Sequence, residues 1–320
     1  MSRGKRNTFP YLRLLTLSYD QDLPDAVSRL GEPITILFTN AKKLRSLMLY
    51  DCQILEIDER IAPALAALTN LRSLDFRGVS IRTLSILQMI QAPLTEVRLD
   101  CRGLESPIDP APVLAHLRDS LQTLDLFYVE FRSTNVQYQH VKTLHLQYCT
   151  CDELRPIILS FPNLRVLHMY PTDREFGSTD AELEERRIAS VASQATHRSW
   201  LSLHRLSGSV FCLYMLGVQC RVDHLTVICA LDNEENSQKF AVVLNDTHPT
   251  SLNIEVNLLD FDHSLVPVTL APVAETLSQL MLRLGFHGID YEDPSCHIVS
   301  TMLKLVDSSS LTAYPPVLAP

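Results

Sequence analysis

A six-residue register, L-x-x-L-x-L, recurs along this chain, and a recurring register constrains a fold more tightly than any isolated motif. It begins at Leu12 (LRLLTL), Leu44 (LRSLML), Leu71 (LRSLDF), Leu94 (LTEVRL), Leu121 (LQTLDL), Val141 (VKTLHL) and Leu164 (LRVLHM). Weaker copies begin at Val222 (VDHLTV), Pro249 (PTSLNI) and Leu277 (LSQLML). From Leu44 to Leu164 the steps are 27, 23, 27, 20 and 23 residues. Alternation of apolar and polar residues within each copy is the signature of a short strand with one buried face.

The pattern continues past its sixth residue. Counting from the first leucine, the ninth and eleventh positions hold Cys52 and Ile54, Val79 and Ile81, Val129 and Phe131, and Cys149 and Cys151, with the three cysteines expected to be buried. Period and extended consensus together are those of leucine-rich repeats. The expected fold is therefore α/β: a solenoid, or horseshoe, with parallel strands on the concave face and helices on the convex face. Segments of helical composition at 61–68, 84–90, 112–117 and 154–159 precede the best strands, with Pro63 and Pro112 near two of their starts, where a missing N–H does no harm.

The solenoid is expected to span 10–307 and to be regular to about 170. An irregular insertion or long repeat follows at about 171–200, carrying a charged amphipathic helix at 180–195 with Ala181, Leu183, Ile188 and Val191 as its apolar residues. The later repeats are degenerate, with helices expected at 235–244 and 297–306. Residues 1–9 read as a disordered start and 308–320 as a flexible tail.

Composition narrows the function. Hydrophobic residues at 46% supply a core, and the net charge of -9 with scattered basic residues argues against nucleic acid as a partner. No apolar run approaches the roughly 20 residues needed to cross a bilayer, so no membrane partner is expected. The eight cysteines lack the spacing of a disulfide framework, which points to an intracellular protein, cytoplasmic or nuclear. The pair Cys149 and Cys151 has no second pair at zinc spacing, so neither metal nor cofactor is expected. Phosphate-loop, dinucleotide, H-E-x-x-H and G-x-S-x-G signatures are missing, and the reading is of a protein that is not an enzyme.

The register also says which residues the concave face displays. The fifth position yields the ladder Met48, Asp75, Arg98, Asp125, His145 and His168, and the seventh Tyr50, Arg77, Asp100, Phe127, Gln147 and Tyr170, with Tyr128 and Tyr148 at the eighth. Large rings interleaved with arginine make contact area at small entropic cost. The expected partner-binding strip is accordingly Tyr50, Arg77, Arg98, Asp125, Phe127, Tyr128, His145, Tyr148, His168 and Tyr170, with a protein as the partner. Asp125, His145 and His168 form a candidate acid–base or metal cluster, weighed against a solvated charge cluster.

The segments L-T-N-L-R-S-L (68–74) and F-P-N-L-R-V-L (161–167), with Y-D-C (50–52) and Q-Y-C (147–149), add a resemblance. They resemble the repeat regions of fungal F-box and leucine-rich-repeat proteins, over roughly residues 10–285. In that family an F-box grips the Skp-type adaptor of a cullin ubiquitin ligase while the repeats hold the substrate. Here the first strand begins by Leu12, which leaves no room for an F-box, so a Skp-type adaptor is implied only if an F-box exists upstream. The resemblance implies a protein-binding module. The alternative is a free-standing repeat scaffold or regulator unrelated to ubiquitin transfer.

Overall fold

A computed structural model describes residues 9, 11–18, 24–149, 154–170, 179–197, 200–228, 233–257 and 263–285. The expected helix at 297–306, Cys151, residues 1–8 of the start expected over 1–9, and the expected tail 308–320 lie outside the described residues. The chain is an α/β protein: parallel strands and helices alternate along it. It divides into two compact units, Met1–Cys151 with Pro156–Leu164, and Asp152–Arg155 with Arg165–Pro320.

The first unit carries β1 (Leu14–Leu17), β2 (Ser46–Leu49), β3 (Ser73–Phe76), β4 (Glu96–Asp100), β5 (Thr123–Phe127) and β6 (Thr143–Gln147), each hydrogen-bonded in parallel to the next. Pairing follows the sequence register residue for residue. Leu47 stands opposite Leu74, Leu74 opposite Val97, Val97 opposite Leu124 and Leu124 opposite Leu144. Those leucines, with Leu49, Phe76, Leu99, Leu126 and Leu146 one row on, are buried. Each contributes roughly 1.5–3 kcal/mol of apolar burial.

Main-chain bonds repeat as faithfully as the side chains. At the entries to β2 through β6 one carbonyl accepts two N–H groups from the next copy: Arg13 O from Arg45 and Ser46, Arg45 O from Arg72 and Ser73, Arg72 O from Thr95 and Glu96, Thr95 O from Gln122 and Thr123, and Gln122 O from Lys142 and Thr143. The N-L pairs add a second tie between copies. Asn70 Nδ2 donates to Lys42 O at 2.8 Å, and Asn163 Nδ2 donates to Gln139 O at 3.0 Å.

Helices cover one face of these strands. They are α1 (Pro24–Asn40), α2 (Ile61–Ala66), α3 (Ile81–Met89), α4 (Pro110–Leu114) and α5 (Arg155–Ser160), with α1 against α2, α2 against α3 and α3 against α4. Ser80 and Asp109 cap α3 and α4 through Thr83 N and Ala111 N. Ile81, at the eleventh position of its copy, is 74% exposed, because it is the first residue of α3 and the helix turns it outward. Between β5 and β6 no helix forms. Its volume is filled by Phe131, Tyr138 and Phe161, with Tyr138 stacked on Phe161 at 5.3 Å and its hydroxyl donating to Ala111 O at 2.8 Å. Alternation in a parallel sheet is itself informative, since a sheet covered on both faces would bury every side chain.

The second unit carries β7 (Val166–Tyr170), β8 (Ser202–Ser209), β9 (Arg221–Ile228), β10 (Ser251–Asn257) and β11 (Gln279–Gly285), again parallel and in chain order. Outside them lie α6 (Asp180–His197), α7 (Val210–Leu216), α8 (Glu234–Thr247) and α9 (Val266–Leu270). The charged helix expected at 180–195 is α6, and it packs on α7. Arg187 fixes that packing, donating to Tyr214 O at 3.1 Å and to Asp246 Oδ2 at 2.5 Å.

β8 escapes the register because its sixth position is Gly208 in place of leucine. A Cβ there would stand 2.7 Å from Met169 O and 3.3 Å from Leu213. Close approach of β7 and α7 therefore selects glycine.

Candidate functional site

In the first unit the face opposite the helices carries the predicted ladders. Met48, Asp75, Arg98, Asp125 and His145 stand opposite one another in sequence across β2 to β6, and Asp100, Phe127 and Gln147 do so across β4 to β6. The geometry brings together Tyr50, Arg77, Arg98, Asp125, Phe127, Tyr128, His145 and Tyr148. His168 and Tyr170 belong to β7 of the second unit, where the His168 ring nitrogen pairs with Ser207 Oγ and Tyr170 is exposed.

Arg77 and Arg102, just past the ends of β3 and β4, are held by carboxylates two residues back. Arg77 bonds Asp75 at 3.2 and 3.3 Å. Arg102 bonds Asp100 at 2.6 and 2.9 Å. Arg98 stands between two neighbours, 3.8 Å from Asp75 and 3.4 Å from Asp125. Each guanidinium is also laid on a ring. Arg77 lies 4.5 Å from the Tyr50 centroid, Arg98 4.7 Å from Phe127, and Arg102 5.5 Å from Phe127 and 5.8 Å from Tyr148.

Two consequences follow for the expected strip. Phe127 is 5% exposed rather than bare, since Arg98 and Arg102 both cover its ring. It is a platform on which the arginines are stacked, and its contact area is not open to a partner. Tyr50 and Tyr148 keep exposed edges, at 46% and 39%.

Tyr128 and Tyr148 have φ of 59° and 54°. Both occupy the eighth position of their copies, and at that position after β3 stands Gly78, with φ 65°. The turn after these strands thus requires a left-handed residue. Glycine meets that requirement freely, whereas an L side chain carries a cost of about 1–2 kcal/mol.

Burial governs titration on this face. It pushes the Asp125 carboxyl above the ordinary range, against the pull of Arg98 and His145. It pushes His145 below the ordinary imidazole value, against the opposing charge of Asp125. At Asp100 burial acts upward too, but the hydrogen bonds from Arg102 outweigh it and the group is lowered. Asp125 and His145 are register neighbours, while His168 lies in the other unit with its own partner. Among the described residues no group of three or more His, Cys, Asp or Glu side chains is placed to hold a metal. Cys52, Cys101 and Cys149 are buried, and burial raises the Cys101 thiol to about 12.

Arg102 is a member of the site that the repeat pattern alone does not flag. Its signal is the acid-x-Arg spacing, which recurs as Asp58 with Arg60, Asp75 with Arg77, Asp100 with Arg102 and Glu130 with Arg132, each an ion pair in the structure.

No protein-family model matches the chain, and no curated protein matches it significantly.

Proposed function

We propose that the chain is a leucine-rich-repeat solenoid whose first unit binds a protein on the open face of its strands. The repeat assignment is supported by the one-sided parallel strands, the paired leucines and the twice-used carbonyl at the entries to β2 through β6. Following the family resemblance, the partner would be a substrate held for a cullin-type ubiquitin ligase if an F-box exists upstream. One observation carries the binding reading: Tyr128 and Tyr148 stand at left-handed backbone positions where glycine would avoid the strain. Strain retained at a semi-exposed aromatic is a mark of a working side chain. Guanidinium stacking on Tyr50 and Tyr148 then presents those two rings in fixed orientations, which reduces the entropy lost on binding.

Photo-crosslinking tests this. A benzophenone side chain replacing Tyr50 or Tyr148 should capture the same polypeptide, and capture should vanish when Arg77→Ala and Tyr128→Ala are added. Capture only from a benzophenone at Ile81, on the helical layer, would refute the assignment to the open face.

A further inference from the structure

The N-terminal rim of the strands carries a second charged surface in the first unit, distinct from the open face. Arg13, Arg45 and Arg72 occupy the second position of successive copies. They are adjacent rungs, since Arg45 N donates to Arg13 O and Arg72 N to Arg45 O. Their α-carbons are therefore about 4.8 Å apart. Lys42 and Lys43 lie in the turn leading to Arg45, and Asn70 ties Lys42 to the next copy. Arg13, Lys42, Lys43 and Arg45 are exposed.

These cations differ from those of the open face in one decisive respect. Arg77, Arg98 and Arg102 are each within ion-pair distance of a carboxylate, but none of the five rim cations forms an ion pair among the described residues. The Arg72 guanidinium donates to the Leu71 and Thr69 carbonyls, and the Lys43 ammonium lies 5.2 Å from the centroid of the exposed Tyr11 ring. The rim is a concentrated positive charge on a chain whose net charge is -9.

We infer that this rim docks a short acidic segment of a partner protein. Charge complementarity identifies the occupant as anionic, and the size of the patch limits its class. Two rungs span about 10 Å, close to the Debye length of about 8 Å at physiological ionic strength. A long polyanion such as a nucleic acid, or a lipid surface, extends far past the rim and meets the acidic remainder of the chain. An extended peptide with carboxylates on alternate residues, about 6.8 Å apart, fits within it. Tyr11 adds an aromatic edge beside the cations.

Fluorescence polarisation with a labelled peptide of alternating Asp and Ser, on the full chain, tests this. Wild type should bind, more weakly as salt rises from about 50 to 200 mM. Arg13→Gln with Arg45→Gln should lose at least about tenfold in affinity, and Lys42→Gln with Lys43→Gln should also weaken binding. Arg118→Gln with Arg132→Gln, the same loss of charge elsewhere in the unit, should leave it unchanged. Absence of binding by wild type, an equal loss in that control, or tighter binding of oligothymidylate or phosphatidylserine vesicles would each overturn the inference. None of the rim residues lies on the open face, so failure here leaves the proposed function standing.

Discussion

Replacing Tyr148 separates backbone strain from side-chain use. At φ 54° an L residue carries about 1–2 kcal/mol that glycine avoids, whereas glycine's freer unfolded chain costs it about 0.5–1 kcal/mol relative to alanine. Tyr148→Ala keeps the strain and loses the Arg102 stack, worth about 0.5–1 kcal/mol at a surface site. Tyr148→Gly loses the same stack and sheds the strain. Glycine should therefore be more stable than alanine at this position by roughly 0.5–1 kcal/mol and close to wild type. Urea denaturation followed by circular dichroism reads this as a midpoint higher for Gly than for Ala by a few tenths molar. At Gln88, an exposed position in α3, the order should invert, with Gly below Ala by about 1 kcal/mol. If Ala matched or exceeded Gly at position 148, the left-handed requirement of the turn would be refuted. Partner capture should fall in both Tyr148 variants, since both lack the ring.

Gly208→Ala should destabilise the second unit by about 1–3 kcal/mol, because the new methyl meets Met169 O and Leu213; an unchanged melting temperature would contradict that packing. Tyr138→Phe should cost about 0.5–1.5 kcal/mol by removing the buried hydroxyl's hydrogen bond to the Ala111 carbonyl, measurable in the same denaturation assay. Asp125→Asn should raise stability at pH 7. The folded carboxyl is pushed above its ordinary value of 3.8, so the fold binds the proton more tightly than the unfolded chain and stability is lost as pH rises through that window. The gain should shrink as pH falls below 3.8, and a variant less stable than wild type at pH 7 would show that Arg98 outweighs burial.

The sequence made the phase of the strands legible because position in L-x-x-L-x-L determines both face and partner. Leu47, Leu74, Leu124 and Leu144 form one buried row as expected. β8 is invisible to the same reasoning, since Gly208 removes the sixth-position leucine for a steric reason that lies on β7 and α7. α1 is hidden by Gly31 and Pro33, both helix breakers by propensity, within a helix that buries Ile34 and Phe38. Gly31 is explained only by a distant neighbour, as a Cβ there would meet Asp58 at 2.8 Å.

On the candidate site, alternation placed Phe127 on the correct face but could not say that two guanidiniums would roof it. Nor does alternation report φ, so the left-handed tyrosines were legible only as aromatics at the eighth position. Arg102 lies beyond the strand and was missed for that reason, although acid-x-Arg spacing marks it.

Because the carbonyl shared at the entries to β2 through β6 joins successive copies through main chain alone, the side chains at second and third positions there are released from holding the stack together. The rim and the adjoining outer row can be rewritten letter by letter while the pitch between copies persists. Recognition can therefore diverge between descendants of such a chain much faster than architecture does.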